Sequence, residues 1–187
     1  MEQREFLDFL SVAEKLKCNT RHSWTSSGRH ESVAEHSWRL AMMAYLLKDE
    51  FPGVDIGRVI VMALWHDMGE AVTGDIPAFL KTEQDEAAED DAVAGLLACL
   101  PEKKRGEVNA LFAEMHAQQT PEARLYKALD KLEALIQHNE ADLSTWLPLE
   151  YDLQMTYGTK ECENFPYLKE LRDLVREDSR NKSLQRP

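Results

Sequence analysis

The stretch Ala63-Leu64-Trp65-His66-Asp67-Met68-Gly69-Glu70, followed by Thr73-Gly74-Asp75-Ile76-Pro77, carries an apolar segment into a run of ionisable side chains and then breaks. The first part predicts a helix from about Asp55 to Met68, with Gly69 as its C-terminal stop. The second part predicts a loop punctuated by Gly74 and Pro77. A histidine and an aspartate side by side at the end of an apolar helix make an expensive arrangement if buried without partners.

The helical reading extends in both directions. Toward the N-terminus a helix is predicted from about Ser32 to Asp49, with the inward stripe Val33, His36, Leu40, Ala44 and Leu47. Ser32 and Glu35 form a capping-box pattern at its start, and Phe51-Pro52-Gly53 ends it. Residues 18–30, with Asn, Thr, Ser and Gly, read as a loop. Before them Phe6, Leu10, Ala13 and Leu16 recur as one face of a first helix. Toward the C-terminus an acidic helix spans about Glu83 to Leu100, and Pro101 opens another to about His116. Thr120-Pro121-Glu122 starts a long helix with the stripe Leu125, Leu129, Leu132 and Ile136. Trp146 to Tyr157 and Pro166 to Glu177 read as shorter helices, and the polar tail after Asp178 as frayed. No strand run alternates convincingly and no repeat or linker divides the chain. The expectation is an all-α, compact multi-helix fold, one domain over residues 1–187 with its core at about 5–160.

Composition narrows the partners. At 187 residues and 43% hydrophobic content the chain suits a single folded domain. A formal charge of −12 argues against nucleic acid or an anionic membrane as general partners. A small anionic substrate stays open, because a metal ion and one or two arginines act locally and screening is strong beyond about 8 Å. No run nears the roughly 18 apolar residues of a membrane span. The opening Met-Glu-Gln-Arg-Glu lacks the order of a secretory signal, and three scattered cysteines suit a reducing cytoplasm.

His36, His66, Asp67 and Asp130 stand out as polar groups on or beside apolar helix stripes. One shared divalent cation would satisfy all four, and two imidazoles with two carboxylates suit Mn, Co, Fe(II), Zn or Ni. Each also has a plainer reading: His36 as a hydrogen-bonded core residue, His66-Asp67 as a helix-end charge pair, and Asp130 as a partner of Arg124, Lys127 or Lys131.

The pattern His36, His66-Asp67, Asp130 resembles the HD-domain superfamily of metal-dependent phosphohydrolases. Glu31-Ser32-Val33-Ala34-Glu35-His36-Ser37, the 64–70 and 73–77 segments, and Lys127-Ala128-Leu129-Asp130-Lys131-Leu132-Glu133 resemble the bacterial 5'-deoxynucleotidase-like subgroup over roughly residues 5 to 160. The resemblance implies a helical HD-domain fold, hydrolysis of a small nucleotide and a single divalent metal ion of open identity (Mg included). It implies His36, His66, Asp67 and Asp130 as metal ligands, and Glu70 and Asp75 as catalytic residues, either of which could be the general acid. It also implies Arg21, Trp24, Asp75, Ile76 and Pro77 as substrate contacts, and a possible homodimer, for which Trp146, Leu147 and Tyr151 are interface or core candidates. Lys81, His116 and Lys127 are weaker site candidates. The subgroup often has a hydroxyl residue after the proline, where this chain has Ala78. The leading expectation is hydrolysis of deoxyribonucleoside 5'-monophosphates. Alternatives are an alarmone, nucleoside triphosphate or cyclic nucleotide as substrate, or binding without catalysis.

Overall fold

The computed structural model describes residues 1–185. Its order is α1 (Gln3–Ala13), β1 (Thr20–Trp24), β2 (His30–Ser32), α2 (Val33–Leu46), α3 (Ile56–Trp65), α4 (Glu70–Thr73), α5 (Glu83–Ala98), α6 (Glu102–Ala117), α7 (Pro121–Glu140), α8 (Glu150–Thr156), α9 (Thr159–Cys162) and α10 (Pro166–Ser183). The all-helical expectation holds apart from one small hairpin. α7 is the central post: Leu125, Ala128, Leu129 and Leu132 are fully buried on it, and α2, α3, α6, α9 and α10 pack around it.

Local signals explain most boundaries. Glu35 N–H donates to Ser32 Oγ, and Ser32 N–H donates back to Glu35 Oε2, so the capping box at α2 is complete. Asp55 caps α3 by accepting the Arg58 N–H, and Thr120 caps α7 ahead of Pro121.

Several expectations need correction. Residues 20–24 and 30–32 pair as an antiparallel hairpin rather than a loop. Its pairing rests on backbone bonds and a turn with Gly28 at φ 81, so no apolar alternation announces it. α2 ends at Leu46, short of Asp49, and a 3-10 turn over Lys48–Glu50 leads into buried Phe51. Gly69 does not stop a helix. Its φ is −59, and a Cβ there would lie 3.0 Å from the Glu89 carbonyl oxygen, so a glycine is needed for the close approach of α5. The stop is Gly74, at φ 79 after α4. On α1, Phe6 and Leu10 are exposed, and Phe9, Val12 and Ala13 pack inward instead, with Phe9 5.6 Å from the Trp65 ring.

The stretch after Asp178 is docked helix through Ser183. Ser179 is fully buried and donates to Asn139 Oδ1, and Lys182 Nζ donates to the carbonyls of Asn139 and Ala141. Its polar residues thus satisfy the unpaired carbonyls at the end of α7. The last two positions of the expected tail lie outside the described residues.

Arg172 of α10, 1% exposed, does the same for α8, donating from Nε to the Tyr157 carbonyl and from Nη2 to the Gln154 carbonyl. Arg172→Ala removes both bonds and leaves a cavity, so the denaturant midpoint should fall by the equivalent of about 3 kcal/mol. A fall under about 1 kcal/mol would mean that α8 and α10 are not coupled through this side chain.

Candidate metal centre and adjoining cavity

α2, the end of α3, and α7 each direct polar side chains to one point. His36 is fully buried, and its Nε2 lies 3.1 Å from Asp130 Oδ1, 3.3 Å from His66 Nε2 and 4.0 Å from Asp67 Oδ2. His66 Nε2 lies 3.0 Å from Asp67 Oδ2 and 3.8 Å from Asp130 Oδ1. Atoms bound to one ion at about 2.1 Å cannot be more than about 4.2 Å apart; His36 and His66 meet that limit with each other and with both carboxylates, and His36, His66 and Asp67 form a compact donor triad.

The outer atoms of these side chains are held as a metal site requires. His66 Nδ1 bonds the Ala63 carbonyl at 2.9 Å and His36 Nδ1 bonds the buried Glu133 carboxylate, so Nε2 is the atom that each ring turns to the centre. Lys127 Nζ donates to Asp130 Oδ2 at 2.8 Å, which leaves Oδ1 inward.

The electrostatics also ask for a cation. Burial opposes charge on His36, as does Arg21, yet Glu133 and Asp130 hold its pKa up at about 9. Burial disfavours ionised Asp67 and Asp130 as well. It is outweighed at Asp67 by His66, His36 and Arg21, and at Asp130 by Lys127 and the same histidines, so both carboxyls stay well below the ordinary range. The triad His36, His66 and Asp67, with Asp130 beside both imidazoles, fits a divalent ion by donor type and by charge.

A layer of charge surrounds this centre. Arg21 Nη1 is 3.7 Å from Asp67 Oδ2, and its Nε is 3.6 Å from Glu31 Oε2. Glu31 and Glu133 are both buried, and each keeps one carboxylate oxygen without a hydrogen-bond partner. Burial, with Glu133 nearby, pushes the Glu31 carboxyl up to about 7. Glu70 is 5% exposed, and its Oε2 lacks a partner. Burial, reinforced by the charges of Asp67 and Asp75, pushes its pKa to about 9. Burial also raises Asp75, whose carboxylate accepts the His22 backbone N–H.

Beside the centre lies a cavity of about 250 Å³, walled by Arg21, His22, Asp75, Pro77 and Phe79 on one side and by α7 and α8 residues on the other. Arg21, Asp75 and Pro77, expected as substrate contacts, all line this cavity. Trp24 and Ile76 do not line the cavity. Trp24 packs against His30 with tilted rings 4.0 Å apart and its carbonyl accepts from Gln137, which makes it a strut of the hairpin. His22, directly after Arg21, takes the cavity position instead. Among the weaker candidates, Lys127 holds Asp130, Lys81 pairs with Glu89 at 2.6 Å, and His116 is exposed beside Asp90. Trp146 is buried, with its ring 4.7 Å from His138.

Sequence reasoning missed Glu133, His22, His138 and Glu150. Glu133 follows Asp130 by one helical turn, the available signal that it faces the same site. The others meet only through packing of the hairpin, α7 and α8.

A sequence profile of the HD domain family matches residues 13–171. The chain belongs to the HD domain family. Among similar members is the human 5'-deoxynucleotidase HDDC2, 36% identical over 141 residues, which cover 73% of this chain and 68% of that protein. The 5'-deoxynucleotidase YfbR of Shigella dysenteriae serotype 1 is 29% identical, with 91% of each chain covered. A solved structure, described as a predicted metal-dependent phosphohydrolase from Magnetospirillum magnetotacticum, superposes with a TM-score of 0.83 at 30% identity, over 98% of this chain and 95% of its own. Membership in the HD domain family implies a bound divalent metal ion, and the side chains gathered on α2, just after α3 and on α7 are the candidates to hold it. Among the described residues no helix is long and apolar enough to cross a membrane.

Proposed function

We propose that this HD-domain protein hydrolyses deoxyribonucleoside 5'-monophosphates to nucleoside and phosphate, with one divalent cation held by His36, His66, Asp67 and Asp130. The observation that carries the reading is the convergence of those four side chains beside a cavity that Arg21 and Asp75 line. A divalent cation held by these residues would supply a water of lowered pKa and polarisation of a phosphoryl oxygen. Arg21 supplies fixed charged donors to the phosphate. Asp75 lines the cavity and has its carboxyl raised by burial, so it can carry the proton that the leaving 5'-oxygen takes. Glu70, with one buried unpartnered oxygen, orients the attacking water. Arg21 is the one cationic Lys or Arg side chain among the cavity residues, which favours a monophosphate over an alarmone or triphosphate.

The test is phosphate release from dAMP, dGMP, dCMP, TMP, AMP and an aryl phosphate with Mn, Co, Mg or Zn. Metal-dependent release from deoxynucleotides is expected, and none with any metal would sink the reading.

The same reading has the chain in the cytoplasm, supported by three free thiols, and acting as a homodimer. Support for the dimer comes from the exposed apolar faces of the packed pair α2 and α3: Trp38, Met42, Tyr45 and Leu46 with Leu64. Sedimentation should give twice the 21.5 kDa chain mass, and Trp38→Glu should shift it to the single mass. A wild-type monomer at micromolar concentration would exclude it.

A further inference from the structure

Beyond the metal ligands, the cavity has a wall with a chemical character of its own. Glu150 starts α8 and is 5% exposed. Its Oε1 lies 2.9 Å from His22 Nε2, and its Oε2 lies 3.2 Å from His138 Nε2 and accepts the Leu147 N–H at 2.5 Å. Burial works against its ionisation, but His138, the Leu147 N–H and His22 together hold the carboxyl below its ordinary value. A carboxylate is therefore built into a largely desolvated surface that faces the ligand space. Of the three side chains, that of His22 is the most open, at 27% exposure, with its ring edge-on to Phe79 at 5.7 Å and 89°. Leu135, Leu153, Phe79 and Pro77 make the rest of the wall apolar and suited to a flat ring.

We propose that His22 and Glu150, backed by His138, select the leaving group: the cavity takes an uncharged, flat group with hydrogen-bond donors and turns away one that carries a second negative charge. This rests on the monophosphatase reading and deepens it. Like charge against a buried carboxylate is costly where water cannot screen it. A ligand N–H or O–H instead meets a free lone pair of Glu150 or the imidazole of His22, whose Nε2 lies 2.9 Å from Glu150 Oε1 without a hydrogen bond of its own. Arg21 and Asp75 stand beside the metal ligands, so the phosphate end and the leaving-group end of a substrate meet opposite preferences and only one orientation satisfies both. A nucleoside fits this description, and a nucleoside carrying a 3'-phosphate does not.

The experiment compares kcat/KM for a deoxynucleoside 5'-monophosphate with that for the 3',5'-bisphosphate, at pH 8, in wild type, Glu150→Gln and His22→Phe. Binding of the free deoxynucleoside to the chelated protein is measured by calorimetry alongside. Wild type should prefer the monophosphate by about tenfold or more, and Glu150→Gln should cut that ratio about tenfold by gaining on the bisphosphate. His22→Phe keeps a ring and should weaken nucleoside binding about tenfold, which tests the proposal even if Glu150→Gln fails to fold. If the chelated protein binds nucleoside in a His22-dependent way but no monophosphate is hydrolysed, the phosphatase reading falls and the selector stands. If monophosphates are hydrolysed but neither ratio nor affinity moves in the variants, the selector falls and the phosphatase reading stands.

Discussion

Asp67→Asn should lower metal-dependent phosphate release by about a thousandfold or more and leave the purified protein with substoichiometric metal. The carboxylate sits 3.0 Å from His66 Nε2 and 4.0 Å from His36 Nε2, inside the donor set. Losing about 4 kcal/mol of electrostatic assistance at the reacting phosphate corresponds to about a thousandfold in rate. The substituted amide keeps the shape of the carboxylate, so a circular dichroism spectrum like wild type is expected, and metal content measured by emission spectroscopy separates lost binding from lost folding. Full metal occupancy with unimpaired turnover would remove Asp67 from the ligand set. The pH dependence of the chelated protein gives a second readout. Asp67 is held below its unfolded pKa, so it adds stability that is present above the unfolded value and lost as pH falls toward the folded one. The variant should therefore lose less stability than wild type on acidification below about pH 4.

Glu70→Gln should separate activity from stability in opposite directions. The Glu70 carboxyl is pushed from an ordinary 4.5 to about 9 by burial and by Asp67 and Asp75. A raised folded pKa means the folded chain holds a proton that the unfolded chain has released. Stability is then fully present below about pH 4.5 and declines as pH rises toward 9. A neutral amide at this position has no such decline. The chelated variant should be more stable than wild type by about 1–3 kcal/mol near pH 8, and the difference should vanish near pH 4. Turnover of the metal-loaded variant should fall about 10²- to 10⁴-fold, the usual contribution of a positioned acid or base. Thermal melts across pH 4–9 and initial rates check the two halves separately. A variant with wild-type turnover would make Glu70 a buried structural carboxyl, and one without the pH-dependent gain would mean that the carboxylate is solvated.

Much of this is legible in the sequence. The stripe Leu125, Leu129, Leu132 of α7 is fully buried, and the Ser32–Glu35 capping box forms as read. Those signals are local: periodicity reports which helix face meets the core, and caps report where a backbone lacks partners. His36 on an apolar stripe and Asp130 beside one marked positions where burial demanded a polar partner, although neither could name it. Family membership follows from the same motif segments. The partners themselves are contacts across long stretches of chain. His36 meets Asp130 across 94 residues and Glu133 across 97, and helix periodicity says nothing about which stripes face one another or which imidazole nitrogen each neighbour takes. The hairpin escaped because backbone pairing without apolar alternation leaves no pattern in side chains. At Gly69 a glycine needed for close packing against Glu89 looks, in sequence, like one needed for a helix stop. Tertiary packing alone moved Trp24 out of the cavity and His22 in, and brought Glu150 and His138 together, because these side chains come from the hairpin, α7 and α8, whose relative positions are decided by how the core closes.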